Sequence, residues 1–332
     1  MTSPPTTLHP EPAAPAAGSG LVGNRHTRAD TIFRGAALAS GLSVLFILAL
    51  IAVSTVQKAW PAFKAEGISF VTSSEFAPNI DVFGTLAFIT GTLLVSTIAL
   101  VFAVPISIGI ALFLSELAPK RLRQYVIYVI DLLASVPSVV FGLWGILVLA
   151  PKIRGLYDTI AGVVEPIPLL NILFGKPVSG RSFFTAGLIL ALMITPIITS
   201  LTREVFDTVP AGQKEGAFAL GATRWEMIRG AIFPHSRSGM TGAVMLGLGR
   251  AMGETIAAAL VIGSSATLTA RLFGPGDAMA AVIANQFGES GGLHRSALIG
   301  LGVVLFAMTI VVNLIARSIV TKRPHQARGA RK

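Results

Sequence analysis

The stretch Val209-Pro-Ala-Gly-Gln-Lys-Glu215-Gly216-Ala217-Phe-Ala-Leu-Gly221-Ala-Thr223-Arg-Trp225-Glu226-Met-Ile-Arg-Gly-Ala-Ile-Phe233-Pro234 decides the fold of this 332-residue chain. It reads as two short helices about a tight turn. Pro210 suits the first turn of a helix, where a missing N–H is no loss. Gly221 suits a left-handed C-terminal cap. Thr223 and Glu226 have capping-box spacing for a second helix, which Pro234 is expected to stop. Phe218, Leu220, Trp225, Met227, Ile228 and Ile232 leave this loop too apolar for free solvent. Such a surface must dock, against this chain or against a partner.

Apolar runs lie on both sides of the loop. Six reach membrane length, at about 33–56, 85–113, 125–149, 183–201, 240–262 and 297–315. The chain is 53% hydrophobic and 13% charged, against about 25% charged in a soluble domain. Its mean hydropathy is +0.74. An all-α polytopic membrane protein with six transmembrane helices is expected. The net charge of +10 does not point to nucleic acid, because the basic residues lie mostly between or beyond the apolar runs. With the N-terminus inside, 17 Lys and Arg fall in inner segments and eight in outer ones. That bias places both termini in the cytoplasm. There is no cysteine, which excludes disulfides and thiol catalysis.

Residues 1–24 are rich in Pro, Ala, Ser and Thr and cannot bury enough surface to fold. Arg25, Arg28 and Arg34 precede the first apolar run. That run is too long for a signal-peptide core, so an uncleaved first span is expected. Pro105, Pro137 and Pro196 fall inside apolar runs and are expected to kink their helices. The segment 150–182 reads as a structured extracytoplasmic loop, and 263–294 as a loop with room for a short interfacial or re-entrant helix.

Arg250 and Glu254 sit inside the fifth run. An ionised group near the bilayer centre costs roughly 3 kcal/mol even on the lenient insertion scale. In a helix starting near Met240, Arg250 lies about 15 Å in, close to the midplane, with Glu254 one turn further on the same face. Gly249 and Gly253 beside them, with Ala243 and Gly247, have the spacing of close helix packing. The planar fork of Arg250 suits an oxyanion such as phosphate, and it does not lose its proton. Glu254 could hold the arginine when no anion is present. A structural ion pair locking two helices fits the same two residues. Asp131 is expected to pair with a Lys or Arg near the inner interface. The five histidines show no metal spacing.

The loop resembles the cytoplasmic signature of ABC importer permeases: Glu-Ala-Ala, three residues, Gly, nine residues, Ile-x-Leu-Pro. Glu215, Ala217, Gly221 and Pro234 fall in register, while Gly216, Ala231 and Phe233 depart from it. The stretches Ser135-Val-Pro-Ser-Val-Val-Phe-Gly-Leu-Trp-Gly145, Gly249-Arg-Ala-Met-Gly-Glu-Thr255 and Val101-Phe-Ala-Val-Pro-Ile-Ser-Ile-Gly-Ile-Ala-Leu-Phe-Leu-Ser-Glu116 are similar to the PstC-type permease of the phosphate-specific ABC importer. The resemblance covers about 33–320 and implies a type I ABC importer permease fold.

The chain is expected to divide into a disordered tail at 1–30, a permease domain at 31–320 with its coupling loop at about 204–238, and a basic tail at 321–332. Glu215, Gly216, Ala217, Gly221, Trp225 and Pro234 would couple to an ATPase, and Arg250 and Glu254 would face the path. The implied partners are a second, PstA-like permease, two PstB-like ATPase subunits and an extracytoplasmic PstS-like phosphate-binding protein. The location is a bacterial or archaeal inner membrane. No Gly-x-x-x-x-Gly-Lys-Ser/Thr loop is present; the nearest match is Gly175-Lys176-Pro177. ATP must therefore be bound by another chain, and no nucleophile–base set suggests an enzyme. Sulfate, molybdate or phosphonate as cargo, or a membrane scaffold for phosphate sensing, fit the charged residues as well.

Overall fold

The computed structural model describes residues 28–321. Of the expected tails, 1–30 and 321–332, residues 1–27 and 322–332 lie outside the described residues. The chain divides into two units, Met1–Ala52 and Val53–Lys332. The described part of the first unit is the leading length of helix α1 (Arg28–Glu66). Its Leu38, Leu42, Phe46 and Leu50 side chains are exposed, as a lipid-facing span requires.

In the second unit, α2 (Ser69–Thr72) and a two-stranded ribbon follow. Strand β1 (Phe76–Ala77) pairs antiparallel with β2 (Val82–Phe83). Ala62, Phe70, Phe83 and Ala297 form a small core there. Then come α3 (Leu86–Leu112), which runs into a π-helical turn at Phe113–Leu117, and α4 (Lys120–Ser135). Helix α5 (Ser138–Trp144) continues through a second π turn, Gly145–Leu149, into α6 (Ala150–Val164). The short α7 (Pro168–Leu173) precedes α8 (Phe183–Asp207). The loop between the next two elements carries α9 (Ala211–Ala219) and α10 (Arg224–Met227). Helices α11 (Phe233–Gly253), α12 (Ile256–Val261), α13 (Met279–Gln286) and α14 (Gly292–Thr321) complete the chain.

Helices α3 and α8 form the centre. Val95, Ile98, Ala99 and Ala103 pack on Ala186, Leu190, Ile194 and Ile198, joined by Ala243 and Ala251 of α11. Two glycines let these backbones approach. A Cβ at Gly187 would lie 2.5 Å from Ile98 Cγ2, and one at Gly247 would lie 2.6 Å from Ile198 Cδ1. Small residues do this work in membranes because lipid is as apolar as leucine, so helix association rests on close van der Waals contact. The packed stripe is Ala243, Gly247 and Ala251. Gly249 and Gly253 are not part of it, since an added Cβ at either meets nothing within 4 Å.

Five described helices are long and apolar enough to cross a membrane: Asp30–Glu66, Leu86–Leu117, Ser138–Val164, Phe183–Asp207 and Gly292–Ser318. Two expected runs differ. The run at 125–149 is broken at Val136 and Pro137, both extended, with ψ of 127° and 140°. Proline disfavours the helical region for its predecessor, and here Val136 yields, so Pro137 is a helix boundary and not a kink. The span shifts to Ser138–Val164 and takes in α6, which was expected to begin an extracytoplasmic loop. The run at 240–262 is also broken, at Glu254 and Thr255, into α11 and α12. Pro105 and Pro196 remain inside α3 and α8. The short helix expected within 263–294 is α13, whose Met279, Ala281 and Val282 are fully buried.

Candidate functional site: a capped helix pair and a cavity beside Arg250

The loop at 209–234 folds as its capping residues dictate. Pro210 is extended and α9 begins at Ala211. Gly221 has φ +81°, which only glycine adopts without strain. Its N–H donates to the Phe218 carbonyl at 2.9 Å, and the Ala222 N–H to that of Ala217 at 3.1 Å. At α10, the Thr223 hydroxyl accepts from the Glu226 N–H at 3.3 Å, and the Thr223 N–H donates to Glu226 Oε2 at 2.7 Å. The Thr223 N–H, together with the Thr223 hydroxyl donating to Oε2 at 2.8 Å, holds the Glu226 carboxyl below its ordinary pKa, because both bonds favour its charged form.

Pro234 does not stop this helix. A π turn, Ile228–Ile232, joins α10 to α11, closed by the Phe233 N–H on the Ile228 carbonyl. Pro234 then falls in the first turn of α11, where no partner is owed to its nitrogen.

The apolar residues of the loop divide. Met227, Ile228 and Ile232 are buried with Ala111, Phe206 and Val209. Phe218, Trp225 and Leu220 stay outside, 46%, 60% and 90% exposed. Glu215 and Gly216 are also exposed, and Ala217 is half-buried. Around the base of the loop run two ionic contacts to the spans. Arg123 of α4 meets Asp207 of α8 at 2.6 Å, and Arg203 reaches the same carboxylate at 3.6 Å. Lys214 of α9 meets Glu116 at 2.6 Å. Asp131 is exposed and has no ion pair among the described residues.

Arg250 ends α11 and is exposed. With Ile197, Met245, Leu246, Gly249 and Asn313 it lines a cavity of about 470 Å³. Glu254 does not continue the helical face that carries Arg250. Its backbone is extended (ψ 126°), and its Oε1 accepts from the Ala257 N–H at 3.3 Å, capping α12. Among the described residues no ion pair joins Arg250 to Glu254. The guanidinium thus faces a largely apolar cavity in which only Asn313 adds a second polar side chain.

Asp277 escapes sequence reasoning. It precedes α13 in Gly274-Pro-Gly-Asp277 and looks like an ordinary cap. The fold leaves it 6% exposed, lining a second cavity of about 470 Å³ with Arg181, Asn285 and Gln286. Its Oδ1 accepts from the Ala278 N–H at 2.9 Å. Asp277 lies outside the membrane-spanning helices, and burial pushes its carboxyl up to about 7, with the Ala278 N–H opposing this.

A raised carboxyl pKa means the folded state holds a proton that the unfolded state has lost. Stability is therefore expected to fall as pH rises from about 4 to about 7 and to level off above that. Asp277→Asn keeps the acceptor and removes the charge. It should raise the melting temperature at pH 8 and leave it unchanged at pH 4, as read by thermal unfolding of the purified protein.

The family described as the binding-protein-dependent transport system inner membrane component matches residues 103–323. The phosphate transport system permease protein PstC of Xylella fastidiosa is 43% identical over 96% of this chain and 96% of its own length. The proteins of that name from Mesorhizobium japonicum and Haemophilus influenzae are 43% and 42% identical, each over 88% of this chain. They are themselves covered to 90% and 93%. A solved bacterial ABC transporter involved in the import of the acidic polysaccharide alginate superposes with TM-score 0.58 at 20% identity, over 88% of this chain and 97% of that one. The same kind of transporter, solved in complex with an alginate-bound periplasmic protein, gives 0.55 at 19% identity over 88% and 98%. These two likenesses establish an importer-permease fold.

Proposed function

Since the chain belongs to the binding-protein-dependent transport system inner membrane components, we propose that it is the membrane permease of an ATP-driven phosphate importer. The observation that carries the reading is the 43% identity to a phosphate permease over 96% of both chains. The chain is a transport subunit and not an enzyme, as its relatives' names indicate. The excess of Lys and Arg on one side supports an inner-membrane placement with both termini in the cytoplasm.

The outward face of the loop, Phe218, Leu220 and Trp225, supports docking of a separate ATPase, because exposed apolar surface of this size seeks a partner. A second permease completes the path, and an extracytoplasmic binding protein delivers the anion. Glu215, Gly216, Ala217, Gly221, Trp225 and Pro234 belong to the docking helices. ATP-driven movement of α10 passes into α11 without a break, since the π turn keeps the backbone helical from Arg224 to Gly253. At the far end of that lever stands Arg250, where a fixed cation in an apolar cavity offers a passing oxyanion a bidentate partner.

Vesicles carrying the assembled complex test this. Labelled phosphate should accumulate only with ATP inside the ATPase compartment, with excess sulfate, molybdate or phosphonate failing to compete. Preference for sulfate, or uptake that survives removal of the ATPase, would overturn the assignment.

A further inference from the structure

Helix α9 is held to the rest of the chain by little. None of its residues is fully buried, and only Lys214 and Ala217 are even half-buried. Ala217 packs a methyl group against the core formed by Ala111, Phe206 and Met227. Lys214 Nζ lies 2.6 Å from Glu116 Oε1, with the two side chains 22% and 10% exposed. Helix α10 differs. It is continuous with α11 through the π turn and buries Met227. The two halves of the loop therefore reach the membrane helices by different means, one by unbroken backbone and the other by an ion pair.

Glu116 sits in the π turn Phe113–Leu117 that extends α3. The wide turn sets this carboxylate at the lower end of the helix that packs along α8. At its other end α3 holds α13. The Thr92 hydroxyl accepts the Met279 N–H at 3.0 Å, and it donates to Phe88 within its own helix at 2.8 Å. A connection thus runs from α9 through Glu116, along α3, to the buried start of α13 on the opposite side of the chain.

Exposed ion pairs contribute little because water and salt screen them. A short, charge-assisted contact that is mostly shielded behaves differently, since removing one partner leaves the other charge buried and unpaired. We propose that the Glu116–Lys214 pair is a positioning contact of the transport cycle, tying α9 to α3 so that movement of the cytoplasmic helices is transmitted to the outer half of the chain. This rests on the coupling role assigned to the loop above.

The test is a charge swap in the assembled complex, reading phosphate uptake and ATP hydrolysis side by side. Glu116→Gln and Lys214→Gln should each raise the ATP hydrolysed per phosphate moved by about tenfold, a usual size for coupling between sites. ATP hydrolysis itself should stay within about twofold. The double variant Glu116→Lys with Lys214→Glu should restore most of the coupling, because it re-forms the pair in reverse. Uptake unchanged in the single variants would overturn the proposal. So would uptake and hydrolysis falling together with no rescue by the swap, which marks a merely structural contact. If the unsubstituted complex moves another anion in place of phosphate, the functional reading fails, and the same ratio measured with that anion still decides the role of the pair.

Discussion

Replacing Arg250 with glutamine is expected to lower phosphate uptake on the order of 100-fold, the loss that follows from removing a charge-assisted hydrogen-bond donor worth about 1.5–3 kcal/mol. The effect is large because the cavity gives the anion few alternatives. Ile197, Met245, Leu246 and Gly249 are apolar, and Asn313 is neutral. Arg250→Lys keeps the charge but loses the planar fork, so it should recover only part of the rate. Uptake of labelled phosphate into vesicles with matched amounts of complex makes the comparison.

The two roles that fit this arginine predict different results. A lock would need a carboxylate, and the carboxylate nearest in sequence, Glu254, is engaged on the Ala257 N–H. Glu254→Gln, which keeps that acceptor, should therefore cost far less uptake than Arg250→Gln. Equal losses in the two variants would favour the lock.

Trp225→Asp is expected to detach the ATPase. Trp225 is 60% exposed beside Leu220 at 90% and Phe218 at 46%. A central aromatic anchor typically contributes 2 kcal/mol or more to an interface, and placing a carboxylate there adds desolvation of a charge. A loss of affinity of about 100-fold or more follows, seen as failure of the ATPase to copurify. Trp225 is exposed and stands outside the buried set Met227, Ile228 and Ile232, so the permease itself should keep its melting temperature. A variant that copurifies normally would remove this face from the docking surface.

Much of this was legible locally. The capping box at Thr223 and Glu226 and the left-handed Gly221 follow from short-range hydrogen bonding and backbone sterics, which act within a few residues. The apolar runs follow from hydropathy alone. Proline was read less well. Pro105, Pro137 and Pro196 look alike in sequence, yet two stay inside helices and one parts two of them. Burial does not account for the difference, since Pro105 is exposed within α3 while Pro196 is buried in α8. At Pro234 a π turn carries the helix past the proline.

Composition, spacing and capping chemistry by themselves determined that this chain crosses a membrane as helices and carries a loop of two capped helices between two of them. Those features depend on the solvent and on the nearest few residues. Tertiary structure alone decided which faces meet. It set Gly247, and not Gly249 or Gly253, against a neighbouring helix, and it paired Lys214 with a carboxylate 98 positions away. It also ended α11 before Glu254, leaving Arg250 facing a cavity in place of a partner. Periodicity says which residues share a helix face, but not what stands opposite. That is settled only when close packing brings distant segments within a few ångströms.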